Sequence, residues 1–346
     1  MPRPLPFLLQ LFQQELGGDV AALHAALKGL ERYQLAARTA PWVPPPVATS
    51  QGRAKLLDYG GAQDGPCLLF VPSLINGPHI LDIDAERSML RWFAAQGFAP
   101  YLVDWGKVTT VARNEDIDHH IAQYLVPLIG LLGRPVHLIG YCLGGTMALA
   151  AASLAKVASL TVIASPWHFD RLDPERSAEI LRLWRDNRAQ AEHWGMLPME
   201  VLQTGFWALD PARVAAKFAA LNQHEMHSVH VRQFVTTEDW ANSGEPLPLN
   251  AARQLFDDLY KRNISGRDQW QIGGRAVGPR ALSAPSLSIR SRADQIVPAA
   301  TSPLLDRIWD LDTGHVGMVI GSRRRTQLWE PLADWLRQQD ARGKTL

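Results

Sequence analysis

The amino-acid sequence predicts an α/β protein: a mostly parallel, doubly wound sheet with a subdomain inserted late in it. Three observations predict this. Short apolar runs recur along the chain and alternate with segments of helical periodicity, the pattern of strands buried on both faces. One run, Val136-His137-Leu138-Ile139, passes through a glycine-flanked turn straight into the Ala/Leu-rich segment Thr146-Met147-Ala148-Leu149-Ala150. Roughly 120 residues separate the run ending near Ala164 from the one starting near Pro285, where a parallel crossover needs only about a dozen.

Taken in order, residues 4–37 carry Phe7, Leu8, Leu11, Phe12, Leu23, Leu27 and Leu30 at helical spacing. Pro41-Trp42-Val43-Pro44-Pro45-Pro46 ends this segment. Its apolar stripe is expected to dock on the main domain; contact with a partner or a lipid surface is the alternative. Cys67-Leu68-Leu69-Phe70-Val71 reads as a buried strand, and Ala85 to Gln96 as a helix closed by Gly97. Tyr101-Leu102-Val103-Asp104 is a second strand, and Asp116 to Leu132 the next helix. Further strands are expected at Leu160-Thr161-Val162-Ile163, Ser286-Leu287-Ser288-Ile289 and Arg307-Ile308-Trp309-Asp310-Leu311, with a closing helix from Thr326 to Gln338. The resulting division is an N-terminal helical segment and linker (1–50), a core (51–168 and 283–346) and a cap (169–282). The cap is rich in aromatic residues, among them Trp184, Trp194, Phe206, Trp207 and Trp240. These either build its own core or line a pocket.

Composition narrows the function. With 346 residues and a net charge of +1, the chain gives no case for a nucleic-acid partner. Two cysteines, Cys67 and Cys142, make no disulfide framework and fit a reducing, cytoplasmic setting. No apolar run approaches a membrane span.

The turn Gly140-Tyr141-Cys142-Leu143-Gly144-Gly145 has the strand–turn–helix context of a nucleophile elbow, with cysteine as the nucleophile. The alternative is a small buried cysteine in a tight turn. A cysteine nucleophile needs a base, and the base an orienting acid. In α/β-hydrolases these follow in the order nucleophile, acid, histidine, on loops after strands. Asp294 follows the strand Leu287-Ser288-Ile289, and His315 follows the strand ending at Leu311. Asp170 is a rival acid. Acyl transfer also needs donors for the oxyanion, and the backbone N–H groups of Leu143 and Leu74 are the candidates. Three other clusters weigh less. His224-Glu225-Met226-His227 with His230 lacks zincin spacing, so no metal is expected. His119-His120 is expected at the surface. Arg323-Arg324-Arg325 is expected to be a solvated helix entry, with contact to coenzyme phosphates as the alternative.

At these residues the chain resembles the polyhydroxyalkanoate (polyester) synthases. Gly140, Cys142, Gly144 and Gly145 match that family's lipase-like box. Pro72-Ser73-Leu74-Ile75-Asn76, Asp104-Trp105-Gly106, Asp294-Gln295-Ile296-Val297-Pro298 and Gly314-His315 resemble its other motifs. Gly77, Gln295 and Gly317-Met318 depart from them. The resemblance implies an α/β-hydrolase fold and a cysteine-dependent acyltransferase that polymerises 3-hydroxyacyl-CoA through an acyl-cysteine. Cys142, Asp294 and His315 would be catalytic, with acyl-CoA as substrate and no separate cofactor. The implied partners are the growing polyester chain and a second synthase subunit or a homodimer; the implied location is the cytoplasm or a polyester granule surface. A cysteine hydrolase with the same triad and a non-catalytic granule-binding protein are the alternatives.

Overall fold

The computed structural model describes residues 4–38 and 40–343. Eight strands form one sheet: β1 (Val47–Gln51), β2 (Ala54–Asp58), β3 (Cys67–Val71), β4 (Ala99–Asp104), β5 (Val136–Tyr141), β6 (Ser159–Ile163), β7 (Ser286–Ser291) and β8 (Arg307–Leu311). Their order is β1-β2-β4-β3-β5-β6-β7-β8. The strands from β3 to β8 pair in parallel, and β1 and β2 add an antiparallel hairpin at one edge. The expected fold class is the one observed. The hairpin is a departure: the Pro-rich pattern assigns 47–50 to a linker, but the chain turns at Gly52 (φ 57°) and pairs Gln51 with Ala54.

Alternation along the strands sorts the core into two layers. On one face Leu69, Val71, Leu138, Leu160 and Val162 pack under α5 (Leu143–Leu154) and under α4 (117–131), which contains a wider turn over His120–Leu125. On the other face Leu68, Phe70, Ile139, Ile163 and Ile289 pack under α3 (Met89–Ala95), α11 (His315–Ile320) and α12 (325–343). Burying one such Leu, Ile or Phe side chain is worth roughly 1.5–3 kcal/mol, so these layers supply most of the favourable term.

The segment between β6 and β7 holds α6 (Pro174–Trp194), α7 (Met199–Ala208), α8 (Pro211–Ala220), α9 (Val229–Ala241) and a further helix, α10 (249–261). The N-terminal stripe corrects the expectation that it docks on the main domain. Helices α1 (Leu5–Leu16) and α2 (Val20–Leu35) pack on α8 and α9 instead, in a separate cluster around Leu8, Phe12, Tyr33 and Phe218. Both sheet faces are already covered, and α8 offers Val214, Ala215 and Phe218 on one side. At Gly29 the backbones are so close that an added Cβ would sit 1.8 Å from the Phe218 carbonyl oxygen. His120 is also corrected: it is fully buried, not at the surface. Its ring bonds to the Asp116 carbonyl (2.6 Å) and the Arg53 guanidinium (2.5 Å), and burial pushes its pKa down to about 4.

Register places the site. Val71 pairs with Gly140, Tyr141 with Ile163, and Ile163 with Ile289; Ser291 pairs with Leu311. The carboxyl ends of five strands therefore share one edge of the sheet, and the loops that leave them meet there.

Candidate active site

Cys142 lies between β5 and α5 with φ 56° and ψ −132°. This is a costly conformation for a residue with a Cβ, of order 1–3 kcal/mol. The flanking glycines make it attainable. A Cβ on Gly140 would lie 2.3 Å from the Gly145 Cα, and one on Gly144 would lie 2.2 Å and 2.4 Å from the Val71 and Pro72 carbonyl oxygens. Those last contacts are backbone and cannot swing away. Gly144→Ala is therefore expected to lower stability by about 1–3 kcal/mol and to displace the loop after β3. A urea unfolding midpoint indistinguishable from that of the parent protein would contradict this.

Asp294 and His315 stand where their loops leave β7 and β8. The Asp294 carboxylate accepts from the backbone N–H groups of Ile296 (2.8 Å) and Val297 (2.9 Å) through Oδ1, and its Oδ2 lies 2.7 Å from His315 Nδ1. Asp294 is 3% exposed and His315 8%. Tyr141, which motif spacing did not single out, packs its ring against the imidazole (5.1 Å between centroids) and donates to the His315 carbonyl (3.2 Å). It extends beneath the same turn, and only the fold makes it a neighbour of His315. Burial opposes charge on His315, but the charges of Asp294 and Cys142 and hydrogen bonds to both outweigh it, and the pKa is pushed up to about 10.

The sign of that shift has a consequence. The folded-state value lies above the ordinary 6.5. The stability His315 contributes is thus complete below pH 6.5 and is lost as pH rises through about 10. Its ring resonances, followed by NMR, are expected to stay constant from pH 5 to 8 and to titrate only near pH 10. A midpoint near 6.5 would contradict the geometry.

The Cys142 side chain, half-buried, and His315 line a cavity of about 370 Å³. Pro72, Ser73, Asn76 and Gly77 form one wall; Phe206, Trp207 and Trp240 close it from the inserted segment. Other aromatic residues of the insert stay out of it: Trp184 stacks on Phe256 (5.3 Å) in the interior, and Trp194 is exposed. Leu143 opens α5, so its N–H has no carbonyl one turn earlier to pair with. Leu74 is buried, and the loop presents Pro72 and Ser73 to the cavity rather than Leu74. The loop is braced from both sides. Trp105 donates from Nε1 to the Pro72 carbonyl (3.1 Å), Asn76 donates to the Ala241 carbonyl (3.1 Å), and Trp240 donates to the Gly77 carbonyl (2.8 Å). The remaining candidates lie elsewhere. Asp170 is exposed and its short turn makes no bond to His315. His224 and His230 stack ring on ring at 3.8 Å. Arg324 lies over Trp329 and donates to the Glu86 carbonyl (2.8 Å), and none of Arg323, Arg324 and Arg325 lines the cavity.

Residues 68–328 match the Alpha/beta hydrolase family. Among curated proteins, the chain is 28% identical over 324 residues to the poly(3-hydroxyalkanoate) polymerase subunit PhaC of Haloferax mediterranei, covering 87% of this chain and 65% of that one. The subunits of Haloarcula marismortui (26%, 78% of this chain and 60% of that one) and Allochromatium vinosum (25%, 79% and 81%) are also similar. The chain thus spans less than two thirds of the two haloarchaeal relatives. Among solved structures, a DcsB complex with its substrate analogue superposes with a TM-score of 0.52 at 16% identity, covering 86% of this chain and 99% of that one. The Paleococcus ferrophilus monoacylglycerol lipase does so with 0.50 at 14% (83% and 100%). These two likenesses concern the fold. Among the described residues no helix is long and apolar enough to cross a membrane.

Proposed function

Because this chain belongs to the alpha/beta hydrolase family and is similar to poly(3-hydroxyalkanoate) polymerase subunits, we propose that it is a cysteine-dependent acyltransferase polymerising 3-hydroxyacyl-CoA. One observation carries this: a strained Cys142 at the head of a buried helix, sharing a cavity with an imidazole whose Nδ1 lies 2.7 Å from the buried Asp294 carboxylate. That is the arrangement a thiol nucleophile needs.

In this reading the Cys142 proton already rests on His315 Nε2, in keeping with the raised pKa of that imidazole. The sulfur attacks the thioester carbonyl, and the N–H group of Leu143 holds the oxyanion. The carbon–sulfur bond to coenzyme A breaks, and the leaving thiolate takes the proton from His315. One thioester has replaced another, so the step is close to isoenergetic. The hydroxyl of the next unit then gives its proton to His315 and attacks the acyl-cysteine. Cys142 leaves as thiolate with the proton held on His315, the state from which it started, and the chain is one ester longer. Asp294 holds the ring in the tautomer these transfers require. Residues 169–282 act as a cap whose Phe206, Trp207 and Trp240 keep water from the acyl-cysteine. The protein would work in the cytoplasm or at the surface of the polyester it makes, with a second subunit or a second copy as partner.

Incubating the purified chain with 3-hydroxybutyryl-CoA tests this. Release of coenzyme A with formation of ester-linked product is expected. Coenzyme A release with free 3-hydroxybutyrate alone would replace the proposal by the hydrolase reading, in which water is the acceptor. No release at all would overturn both.

A further inference from the structure

Asp294 is held by more than its own loop. The N–H of the Gln295–Ile296 peptide donates to Asp294 Oδ1 (2.8 Å). The carbonyl of that same peptide points the opposite way, as the trans geometry of a peptide bond requires. There it meets Arg176, whose Nη1 donates to the Gln295 carbonyl (2.9 Å) while its Nη2 donates to Gln295 Oε1 (3.0 Å). One planar guanidinium fork thus spans both oxygens of a single residue. The bonded chain is continuous. It runs from the guanidinium through the Gln295–Ile296 peptide to the Asp294 carboxylate, and from Oδ2 to His315 Nδ1 at 2.7 Å.

Arg176 comes from the inserted segment. It lies in the first turn of α6, where the Asp173 side chain accepts from its backbone N–H (3.1 Å). A cation at that end opposes the helix dipole, so local helix chemistry disfavours it there. Its side chain is not answering an acid either. The three hydrogen bonds it donates end on neutral oxygens: the two of Gln295 and the Leu209 carbonyl (3.5 Å). A residue that breaks a local rule is expected to be compensated elsewhere, most often at a functional site. Gln295 supplies the compensation. It is one of the positions at which the chain departs from the synthase motifs, and it lines the cavity of Cys142 and His315. A bond from a cation to the carbonyl end of a peptide polarises it and strengthens donation from the N–H end. Resting on the reading of Cys142, His315 and Asp294 as the reacting set, we infer that Arg176 is a positioning residue: through the Gln295–Ile296 peptide it holds Asp294 against His315. The inserted segment then sets the geometry of the base as well as walling the cavity.

Two readouts test this, and one of them needs no turnover. Arg176→Met keeps an apolar stem and removes the fork. Because Arg176 does not line the cavity, this variant is expected to lower kcat for coenzyme A release from 3-hydroxybutyryl-CoA about tenfold, with KM changed less than about twofold. A loosened carboxylate supports the imidazolium less, so the His315 NMR titration is expected to fall roughly half a pH unit or more below the parent value of about 10. Cys142 and Tyr141, the other groups facing the ring, are untouched. Mere loss of a distant positive charge would move the titration upward instead, and a merely structural brace would lower the thermal midpoint and leave the titration in place. Arg176→Lys keeps the charge but reaches one oxygen, and is expected to fall between methionine and the parent in both readouts. If Arg176→Met keeps the parent kcat, or if its His315 titration stays or rises, the inference is overturned. The reading beneath it fails separately, if the parent protein releases no coenzyme A; the His315 titration then decides the role of Arg176 alone.

Discussion

Cys142→Ala is expected to lower kcat by roughly 10⁴-fold to 10⁶-fold and to eliminate the covalent adduct seen by intact mass. The size follows from the position of the sulfur. It is the only nucleophile at the turn between β5 and α5, and it shares its cavity with the His315 imidazole. Ser73, which also lines the cavity, lies outside the turn that heads α5, and its hydroxyl accepts from the Ile75 N–H at 3.1 Å. Alanine keeps the Cβ and so carries the same backbone strain as cysteine and no more, and the fold should survive the loss of activity. Cys142→Gly provides the internal comparison. It removes the same sulfur and also relieves strain of order 1–3 kcal/mol, against a glycine entropy cost of about 0.5–1 kcal/mol. Its thermal midpoint should equal or exceed that of the alanine variant. If Cys142→Ala retained a tenth of the parent rate, the covalent route would be wrong.

The order of strands and helices was legible because the core strands carry short, mainly apolar and β-branched runs, as in Cys67–Val71 and Leu160-Thr161-Val162-Ile163. The turn at Cys142 was legible because its glycines are dictated by contacts that nothing larger survives. What failed to show is what depends on partners distant in the chain. Strands β1 and β2 expose Val47, Ala48, Ser50 and Lys55, so no continuous apolar run announces them. Periodicity marks the apolar stripe of α1 and α2 but not its partner, and the partner is α8 and α9 rather than the sheet. His120 looks solvent-facing until the Arg53 loop folds over it. The same limit applies to the aromatic residues of the insert. Composition shows their abundance, yet only packing separates Trp207 and Trp240, which wall the cavity, from Trp184, which does not. Motif spacing likewise singles out Leu74, whereas the loop's cavity-facing residues are Pro72 and Ser73.

Asp294→Asn is expected to lower kcat by about 10⁴-fold while costing less stability than Asp294→Ala. The two effects separate because the carboxylate has two tasks on two oxygens. Oδ1 accepts from the Ile296 and Val297 N–H groups, and an asparagine carbonyl can do the same, so the loop keeps its shape. Oδ2 faces His315 Nδ1, and there the amide offers N–H in place of a lone pair. The imidazole must then present its own lone pair at Nδ1 and carry its proton on Nε2, where it can no longer accept the Cys142 proton. Loss of the Asp294 charge also removes the largest influence raising the His315 pKa, so its NMR titration should move from about 10 toward the ordinary 6.5. Asp294→Ala abolishes both tasks and should cost stability as well, because the Ile296 and Val297 N–H groups lose their acceptor. An Asp294→Asn protein with near-parent kcat and an unmoved His315 titration would show that the carboxylate has no part in orienting the base. Equal loss of stability in the asparagine and alanine variants would show instead that the Oδ1 contacts to Ile296 and Val297 contribute nothing to the loop.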